Sequence, residues 1–571
     1  MKIKHLFGLA VIAAMTASCS SNEDLGTAGP GTGTNETGVG YATFTINLPS
    51  VSGTRAADAG GAEMDEGTAN EYAVKSATAL IFQKYGSDEG SCKFVESVDL
   101  PTAAADWTDD TTVGITTTKK LVAKLTNVDT KNQYYVLVLL NNNKTGGVKV
   151  ALPTVGQSYN EWNSQILTPS VDDLAADNDF YMANAPLKGT ASPTTLVTIN
   201  KENIYSSKEK AEAGTSAATV YVERGVAKMS VTDPTTKTVI DKATNNPTKS
   251  TVEFNNWALD ITNKKTYAVH NIEGLSTDFP AIWTTPRFIG TNSRVYWGKD
   301  PNYNLDNLNK KEADREAEFN FIKATSGIKK TFKESAYCLE NTFNLANMYQ
   351  GQTTRVIFKA TYTPMDAAGN PLADKDGTFY TIGNMTTILK AAALETAVNT
   401  AATSVLPGCT VDYTNLKQEG SHVITLADIK DSTGTTLVAD KDYGGKTGTQ
   451  IVKEINDKLG LIDGAGHAEA MVGINTYAQG VTYYIARVKH FGSLTPWNSG
   501  ESYGTDNGKY LGRYGMLRNN WYELTVGNVY GPGYPGVPPV DPNQPDDENE
   551  KYLSVSVKIL SWAKRSDTVD L

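Results

Sequence analysis

The sequence lacks the motifs that mark most enzymes, metalloproteins and nucleic-acid-binding proteins. It has five histidines, no two with metal-ligand spacing, and it has no Walker loop, HExxH motif or GxSxG motif. Lysine and arginine together number 52 against 63 aspartates and glutamates, which gives a net charge of −11. This acidic balance argues against nucleic acid as a partner. We therefore expect no enzymatic activity, no cofactor and no metal.

Cysteine is also scarce, which excludes a fold that depends on a disulfide framework. The four cysteines of the 571 residues are Cys19, Cys92, Cys338 and Cys409. The first lies in the N-terminal targeting segment described below. The other three are an odd number and match no zinc-site spacing, so at most one disulfide is expected.

The apolar run at the N-terminus is too short to span a bilayer. Leu6–Met15 follows Lys2 and Lys4 and precedes the small residues before Cys19. A membrane-spanning helix needs about 20 apolar residues, and no later stretch of the sequence is long and apolar enough. The pattern predicts an export signal over residues 1–19 that ends at a lipid-modified Cys19. An ordinary cleaved signal is the alternative.

The composition favours an all-β chain with a few short helices. Thr, Val, Gly and Tyr are abundant, with 28 tyrosines, and 40% of the residues are hydrophobic. The length predicts two or three domains, with a boundary near the polar segment Asp233–Pro247. Tyr134–Leu140 reads as a central strand and Arg355–Tyr362 as another. Helices are predicted over Thr386–Ala401 and within Lys446–Leu461.

Two predicted strands with the same alternating pattern lie near opposite ends of the chain. In Tyr41–Leu48 and in Tyr552–Trp562, apolar and polar residues alternate, which places four apolar side chains on one face of each strand. These side chains are Ala42, Phe44, Ile46 and Leu48 in the first strand, and Leu553, Val555, Val557 and Ile559 in the second. In principle, both strands fill the same hydrophobic groove.

A segment without regular pattern follows the first strand. Pro49–Tyr72 is rich in Gly, Ser and Ala, which predicts a flexible exposed loop. Arg55 is its only basic residue, and no other Lys or Arg lies between Lys4 and Lys75. An Arg-specific protease would therefore cut between Arg55 and Ala56. A surface arginine without a role is the alternative.

A second segment precedes the last strand. Gly531–Lys551 contains six prolines and has an acidic end. It predicts a semi-rigid, solvated tether that stays out of the packed core and spans up to roughly 65 Å at ~3.1 Å per residue. The last strand then either folds back onto its own sheet or is offered to the sheet of a neighbouring molecule.

An ordered set of sequence fragments spans nearly the whole chain. The set begins with the lipoprotein-like start at Cys19 and with Arg55 in Gly53–Ala57. It continues with Met182–Leu187, Val220–Met229, Trp257–Val269, Tyr337–Phe343, Tyr514–Val526 and Val557–Trp562. Together these fragments resemble the fimbrillin family of Bacteroidales surface fimbriae, most closely the shaft subunits of short (minor) fimbriae.

The resemblance implies a structural pilin that polymerises by donor-strand exchange and supports adhesion and biofilm formation. It implies export as a lipoprotein to the outer membrane and cleavage at Arg55–Ala56 by an Arg-specific protease. The first strand then leaves, and the last strand of another copy replaces it; accessory fimbrial subunits are further partners. The implied organisation is a signal (1–19), a tether and strand removed as a propeptide (20–55), two transthyretin-like β-sandwich domains (56–240 and 241–530), a Pro-rich tether (531–551), and a donor strand with a tail (552–571).

Other functions stay open from the residues alone. The chain could be a monomeric surface lipoprotein that binds a glycan or a host protein, in which case the last strand stays in its own sheet. It could be an accessory or tip subunit, although a tip subunit needs no donor strand. A surface hydrolase would need a cleft with perturbed carboxylates, which a sequence does not show.

Overall fold

Two β-sheets, each with its own hydrophobic core, organise the chain in this computed structural model. The structure describes residues 33–34, 38–48, 67–102, 108–109, 117–129, 131–188, 192–280, 295–303, 308, 311–464, 472–490, 497–498, 508–547 and 553–561. Strands outnumber helices throughout these ranges, and all helices but two are shorter than two turns. The prediction of an all-β chain with a few short helices is confirmed.

The first unit is a ten-stranded sheet that folds over one core. Its order is β3-β2-β6-β11-β16-β1-β5-β4, with β14 added to β6 and β15 added to β1. Six further strands of this unit form the separate pairs β7-β8, β9-β10 and β12-β13. The strands of the unit are β1 (Gly40–Asn47), β2 (Ala77–Gln83), β3 (Lys93–Leu100), β4 (Thr108–Asp109), β5 (Thr117–Leu125), β6 (Tyr134–Leu140), β7 (Asn143–Lys144), β8 (Gly147–Val148), β9 (Ala175–Ala176), β10 (Asp179–Phe180), β11 (Met182–Asn184), β12 (Leu187–Lys188), β13 (Pro193–Thr194), β14 (Val197–Thr198), β15 (Ile204–Tyr205) and β16 (Ala218–Arg224).

Strand β16 connects the two halves of this sheet. Its first residues pair with β1, and Val222–Arg224 pair with β11. Side chains from β1, β2, β6 and β16 meet in a single buried cluster. The predicted central strand Tyr134–Leu140 is β6 and is buried along almost its whole length.

The second unit is an eight-stranded sheet. Its order is β22-β17-β30-β18-β19-β23-β29, and β31 adds to β30. Seven further strands form the small sheets β20-β21, β24-β28-β26 and β25-β27. The strands of this part of the chain are β17 (Ala227–Val231), β18 (Lys237–Ile240), β19 (Pro247–Asp260), β20 (Thr262–Asn263), β21 (Phe319–Asn320), β22 (Ala336–Cys338), β23 (Arg355–Thr363), β24 (Phe379–Ile382), β25 (Thr410–Val411), β26 (Gly420–His422), β27 (Ile429–Lys430), β28 (Ile474–Tyr477), β29 (Val481–Arg487), β30 (Asn520–Val529) and β31 (Leu553–Ser561). The predicted strand at Arg355–Tyr362 is β23.

All helices in the described ranges are short except α7 and α8. The helices are α1 (Ala69–Tyr72), α2 (Tyr159–Asn163), α3 (Val171–Leu174), α4 (Lys208–Ala213), α5 (Leu275–Asp278), α6 (Glu312–Glu318), α7 (Ala391–Val405) and α8 (Gly448–Leu459). Turns of 3₁₀ helix lie at Lys201–Asn203, Pro301–Tyr303, Thr325–Gly327, Leu345–Asn347, Leu426–Asp428 and Ala478–Gly480. The two predicted helices are α7, which begins five residues later than expected, and α8.

A small module with its own core interrupts the second sheet between β23 and β29. It contains α7, α8 and the three-stranded sheet β24-β28-β26. Because β23 and β29 pair directly with each other, the module is an insertion that the sheet does not need for its continuity. The sequence predicted both long helices but not their separation from the main sheets.

The two sheets divide at Gly225, between β16 and β17. Both β17 and β18 pair with β30 of the second sheet. The division therefore lies earlier in the chain than the expected domain limits of 56–240 and 241–530. The polar segment Asp233–Pro247 is the connection from β17 through β18 to β19, and local polarity does not distinguish such a hairpin region from a linker.

Three negative observations hold for the described part of the chain. Cys92, Cys338 and Cys409 are free and buried, so they form no disulfide with one another. In these ranges, no helix has the length and apolar character needed to cross a bilayer. Nor does any group of three or more His, Cys, Asp or Glu among the described residues have a metal-binding arrangement.

Candidate functional site

Strand β1 lies inside the first sheet and is paired along both edges. On one side, all of Gly40–Asn47 pairs antiparallel with β5. On the other side, Phe44–Asn47 pair parallel with β16, while Tyr41 and Ala42 pair antiparallel with β15. A strand in this position has few free backbone groups, so its removal opens two sheet edges at once.

The inward face of β1 contributes directly to the core. The four side chains predicted to share this face, Ala42, Phe44, Ile46 and Leu48, are all buried, and all belong to the core cluster of the first unit. Burying these apolar groups is the main favourable contribution that holds a strand in its place.

The outward face of β1 is also largely buried, whereas the alternation of apolar and polar residues predicts a strand with only one buried face. Thr43 is 2% exposed, and its hydroxyl donates to the carbonyl of Ala211 in α4 over 2.6 Å. Asn47 is 3% exposed and accepts a hydrogen bond of 2.7 Å from the Thr118 hydroxyl. Thr45, which is half-buried, lies 2.7 Å from the Ser216 hydroxyl. Helix α4 covers this face. Because α4 is distant in the sequence, the pattern of residues within β1 does not predict this contact.

These contacts define a groove, which we call the β1 groove. Its walls are β5 on one side and β15 with β16 on the other, its floor is the core, and α4 covers part of its outer side. The groove accepts an extended strand of about eight residues with apolar side chains inward and small hydroxyl side chains under α4. Those are the properties that any replacement strand must share.

Strand β31 pairs with β30 of its own chain. The register runs antiparallel from Asn520 opposite Ser561 to Val529 opposite Leu553, with an irregularity after Val526. The other edge of β30 pairs with β17 and β18. The folded-back arrangement, one of the two that the sequence left open, is therefore the one present in this single chain. Of the predicted donor residues, Val557 lies opposite Leu524 and Ile559 opposite Tyr522.

The Pro-rich segment before β31 does not behave as predicted. Residues 531–547 run against the second unit, and Asp546 and Asp547 are buried. The expectation of a solvated tether outside the packed core is therefore wrong for these residues. Proline lacks an N–H but keeps its carbonyl, and buried Arg355 donates to two such carbonyls, those of Pro538 and Pro539.

The predicted processing residues lie outside the described part of the chain. This holds for Cys19 and for the predicted cleavage site at Arg55 and Ala56. The described chain stops at Leu48, directly after β1, and resumes at Gly67, directly before α1.

Helix α1 anchors the chain that follows this gap. Glu71 forms an ion pair of 2.7 Å with Lys228 and accepts a 2.6 Å hydrogen bond from the Tyr337 hydroxyl. Burial raises the pKa of Glu71, but Lys228 and the hydrogen bonds outweigh it and leave the pKa lowered. The ammonium of Lys228 also lies 3.7 Å from the centre of the Trp521 ring. Lys228, Tyr337 and Trp521 belong to the second sheet, but α1 also binds the first unit: Asn70 donates to Asp177 over 3.3 Å, and the Glu71 carbonyl accepts from Arg224 Nε over 2.9 Å. Helix α1 is therefore held between the two sheets, and none of these contacts involves β1.

A comparison with known families identifies the C-terminal part of the chain. Residues 475–568 match the family described as major fimbrial subunit protein type IV, fimbrillin, C-terminal. Over these 94 of its 571 residues, the chain is similar to the C-terminal part of fimbrillins. The match spans β29, β30, the Pro-rich segment and β31, which are the elements that carry the candidate donor strand.

Comparisons with whole proteins add little to this assignment. No curated protein matches the chain. Among solved structures, a proposed cell adhesion protein from Parabacteroides distasonis is 9% identical with a TM-score of 0.36, and covers 91% of this chain and 97% of its own. A fimbrial assembly protein from the same species is 13% identical with a TM-score of 0.27, and covers 61% and 93%. At such low TM-scores the two similarities establish nothing further.

Proposed function

We propose that this protein is a fimbrillin, a structural and non-enzymatic shaft subunit of a cell-surface fimbria that polymerises by donor-strand exchange. It is exported as a lipoprotein through Cys19, and an Arg-specific protease of the outer surface cuts it between Arg55 and Ala56. Strand β1 then leaves its groove, and β31 of a second copy replaces it. The observation that carries this proposal is the position of β1, which is an interior strand joined to the rest of the chain by a segment that contains Arg55.

The two sides of the proposed cut are held by separate sets of contacts. Upstream, β1 is retained by the β1 groove of the first unit. Downstream, α1 is retained between the two units, by Lys228 of the second sheet and by Arg224 of the first. A cut at Arg55 would therefore leave β1 held only by non-covalent contacts, while the new N-terminus stays anchored. Before the cut, β1 fills the groove and prevents assembly during export.

The donor strand matches the inward face of the groove and two of its three outward positions when it enters in the direction of β1. Leu553, Val555, Val557 and Ile559 then take the places of Ala42, Phe44, Ile46 and Leu48. In that register Ser554 replaces Thr43 and keeps a hydroxyl beside the carbonyl of Ala211. Ser556 likewise replaces Thr45 beside Ser216. The third outward position, that of buried Asn47, receives Lys558, whose ammonium needs a polar partner or a path to solvent there.

The exchange is favourable because β31 moves from the edge of the second sheet of its own chain to an interior position in the first sheet of another. In its own chain β31 pairs along one edge, with β30. In the β1 groove it would pair along both edges and bury four aliphatic side chains, which contributes on the order of 10 kcal/mol before ordering costs. Each copy offers one groove and one donor strand at different places, and such head-to-tail contacts form a filament when they do not close.

The retention of β1 after cleavage should depend on Phe44. Phe44→Ala removes a fully buried ring, which costs about 3–5 kcal/mol in a core, so the cut β1 fragment should leave at least about 100-fold faster. Release is measured by gel filtration and mass spectrometry after cleavage. Thr45→Ala, on the half-buried position next to it, is the matched control and should change release less than about fivefold. Equal release from both variants would contradict the assigned role of the inner face.

A peptide experiment tests the exchange separately from polymerisation. A synthetic peptide with residues 551–565 should bind the cut protein stoichiometrically as β1 dissociates, and should not bind the uncut protein. The acceptor is the full-length Val557→Asp variant, whose own strand cannot act as a donor but still covers the β30 edge. The matched control is the same peptide with Val557→Asp, which should not bind. If the native peptide binds neither form, donor-strand exchange is not the function of β31.

One observation favours a second function. The pairing of β31 with β30 completes the second sheet within a single chain, as expected of a monomeric surface lipoprotein that binds a glycan or a host protein. The two functions differ in what cleavage does. A monomeric lipoprotein cut at Arg55 would keep β1 in place and stay a monomer at high concentration.

A further inference from the structure

The segment that leads to the donor strand is fastened to its own subunit along its length. We call residues 531–547 the strap. At its start, the hydroxyls of Tyr484 and Tyr477 donate to the carbonyls of Gly531 and Gly533 over 2.8 and 3.0 Å. Tyr534 then exchanges two backbone hydrogen bonds with Tyr483, of 2.9 and 2.8 Å. These contacts bind the strap to β28 and β29.

An arginine holds the middle of the strap. Arg355 donates from Nη2 to the carbonyl of Pro538 over 2.8 Å and from Nη1 to that of Pro539 over 3.1 Å. Its Nε donates to Asp260 over 2.9 Å, and both members of this ion pair are buried. The planar guanidinium is thereby fixed by the carboxylate and binds two consecutive carbonyls at once, which gives a directional contact.

The end of the strap is held most firmly, by two buried carboxylates. Asp547 is 7% exposed and accepts hydrogen bonds from Arg513 Nε over 2.7 Å, the Tyr514 hydroxyl over 2.9 Å and the backbone N–H of Trp497 over 2.6 Å. Asp546 is 1% exposed, and its carboxylate accepts from the Thr353 hydroxyl over 3.2 Å. Removing a buried carboxylate from such partners costs several kcal/mol. Asp547 is thus a fixed point of the chain.

The sequence beyond this point limits how far the donor strand can reach. Five residues separate Asp547 from Leu553, where β31 begins. An extended chain of that length spans roughly 20 Å, about a third of the roughly 65 Å that the whole Pro-rich segment would span if it were free.

We propose that the strap stays bound to the donor subunit during exchange, with Asp547 as the pivot, and that only the chain after Asp547 passes to the second copy. This inference rests on the proposed function. Its consequence is a short distance between the β1 groove of one subunit and the Asp547 site of the next. The folded domains of neighbouring subunits must then be in direct contact, which gives a stiff fibre rather than subunits joined by flexible linkers.

A disulfide that locks the strap tests this directly. A Cβ built on Gly351 lies 3.2 Å from the Cβ of Pro542, close to the roughly 3.5–4.5 Å of a disulfide. The double variant Gly351→Cys, Pro542→Cys should form the bond with little movement. After cleavage at Arg55, the oxidised protein should polymerise within about twofold of the rate of its own reduced form. The reduced form is the matched control for folding.

The outcomes separate this inference from the proposed function. If the reduced variant and the wild-type protein polymerise but the oxidised variant does not, the strap has to detach and the inference is overturned. If the cut wild-type protein does not polymerise either, the proposed function fails and the inference fails with it.

A second variant tests the reach. Inserting ten Gly and Ser residues after Asp547 should still allow polymerisation but should make the fibres visibly more flexible in electron micrographs. The same insertion between Gly444 and Gly445, in a turn far along the chain from the strap, is the control and should leave the fibres straight. If the fibres stay equally straight with the first insertion, the native linker is already longer than the contact between subunits requires, and the inference is overturned.

Discussion

Replacing Val557 by Asp is expected to abolish polymerisation while the monomer stays folded. In the proposed register, this side chain occupies the site of Ile46, which is fully buried among apolar residues. An unpaired carboxylate there costs several kcal/mol, so assembly should fall at least about 100-fold. In the monomer the same residue lies on β31, a strand at one edge of the second sheet. Polymerisation is measured by gel filtration after cleavage, and folding by thermal unfolding.

Ser556→Asp is the matched control for this variant. It adds the same charge to the adjacent residue, but on the face that corresponds to half-buried Thr45. We expect its polymerisation to stay within about tenfold of wild type. If Val557→Asp polymerises as well as Ser556→Asp does, the assignment of the donor face is wrong.

Replacing Arg55 by Ala is expected to keep the protein in its monomeric, uncut form. No other Lys or Arg lies between Lys4 and Lys75, so an Arg-specific protease has no second site at which to separate β1 from the body. Polymer should be undetectable, since β1 keeps its groove filled. The measurement is electron microscopy with N-terminal sequencing after incubation with the protease.

Arg55→Lys provides a rescue of the same site. It should resist the Arg-specific protease and stay monomeric, yet polymerise after brief treatment with a Lys-specific protease. Polymerisation of Arg55→Ala in the presence of the Arg-specific protease would contradict the proposed activation step.

The elements that sequence reasoning located are those encoded in local periodicity. Tyr134–Leu140 could be recognised as a buried strand because its apolar run continues on both faces, and it is β6. The alternation in Tyr41–Leu48 revealed which side chains of β1 enter the core. The helix predicted within Lys446–Leu461 is α8, Gly448–Leu459. In each case the side chains that decide the structure lie within one short window.

The features that the sequence did not reveal depend on contacts between distant residues. The acidic end of the strap looked solvated because Asp546 and Asp547 stand among charges, whereas Arg513 and Thr353, which bind them, are remote in the chain. The burial of Thr43 likewise depends on Ala211 of α4. The division of the two sheets at Gly225 depends on the pairing of β17 with β30. No local pattern encodes such partners.

The central claim is that cleavage after Arg55 converts a stable monomer into a head-to-tail polymer. The most direct measurement uses purified residues 20–571, without lipid, incubated with and without an Arg-specific protease. The products are examined by gel filtration, electron microscopy and N-terminal sequencing. We predict a new N-terminus at Ala56 and the growth of filaments in the treated sample alone. A protein cut at Arg55 that remains a monomer at high concentration would contradict the account.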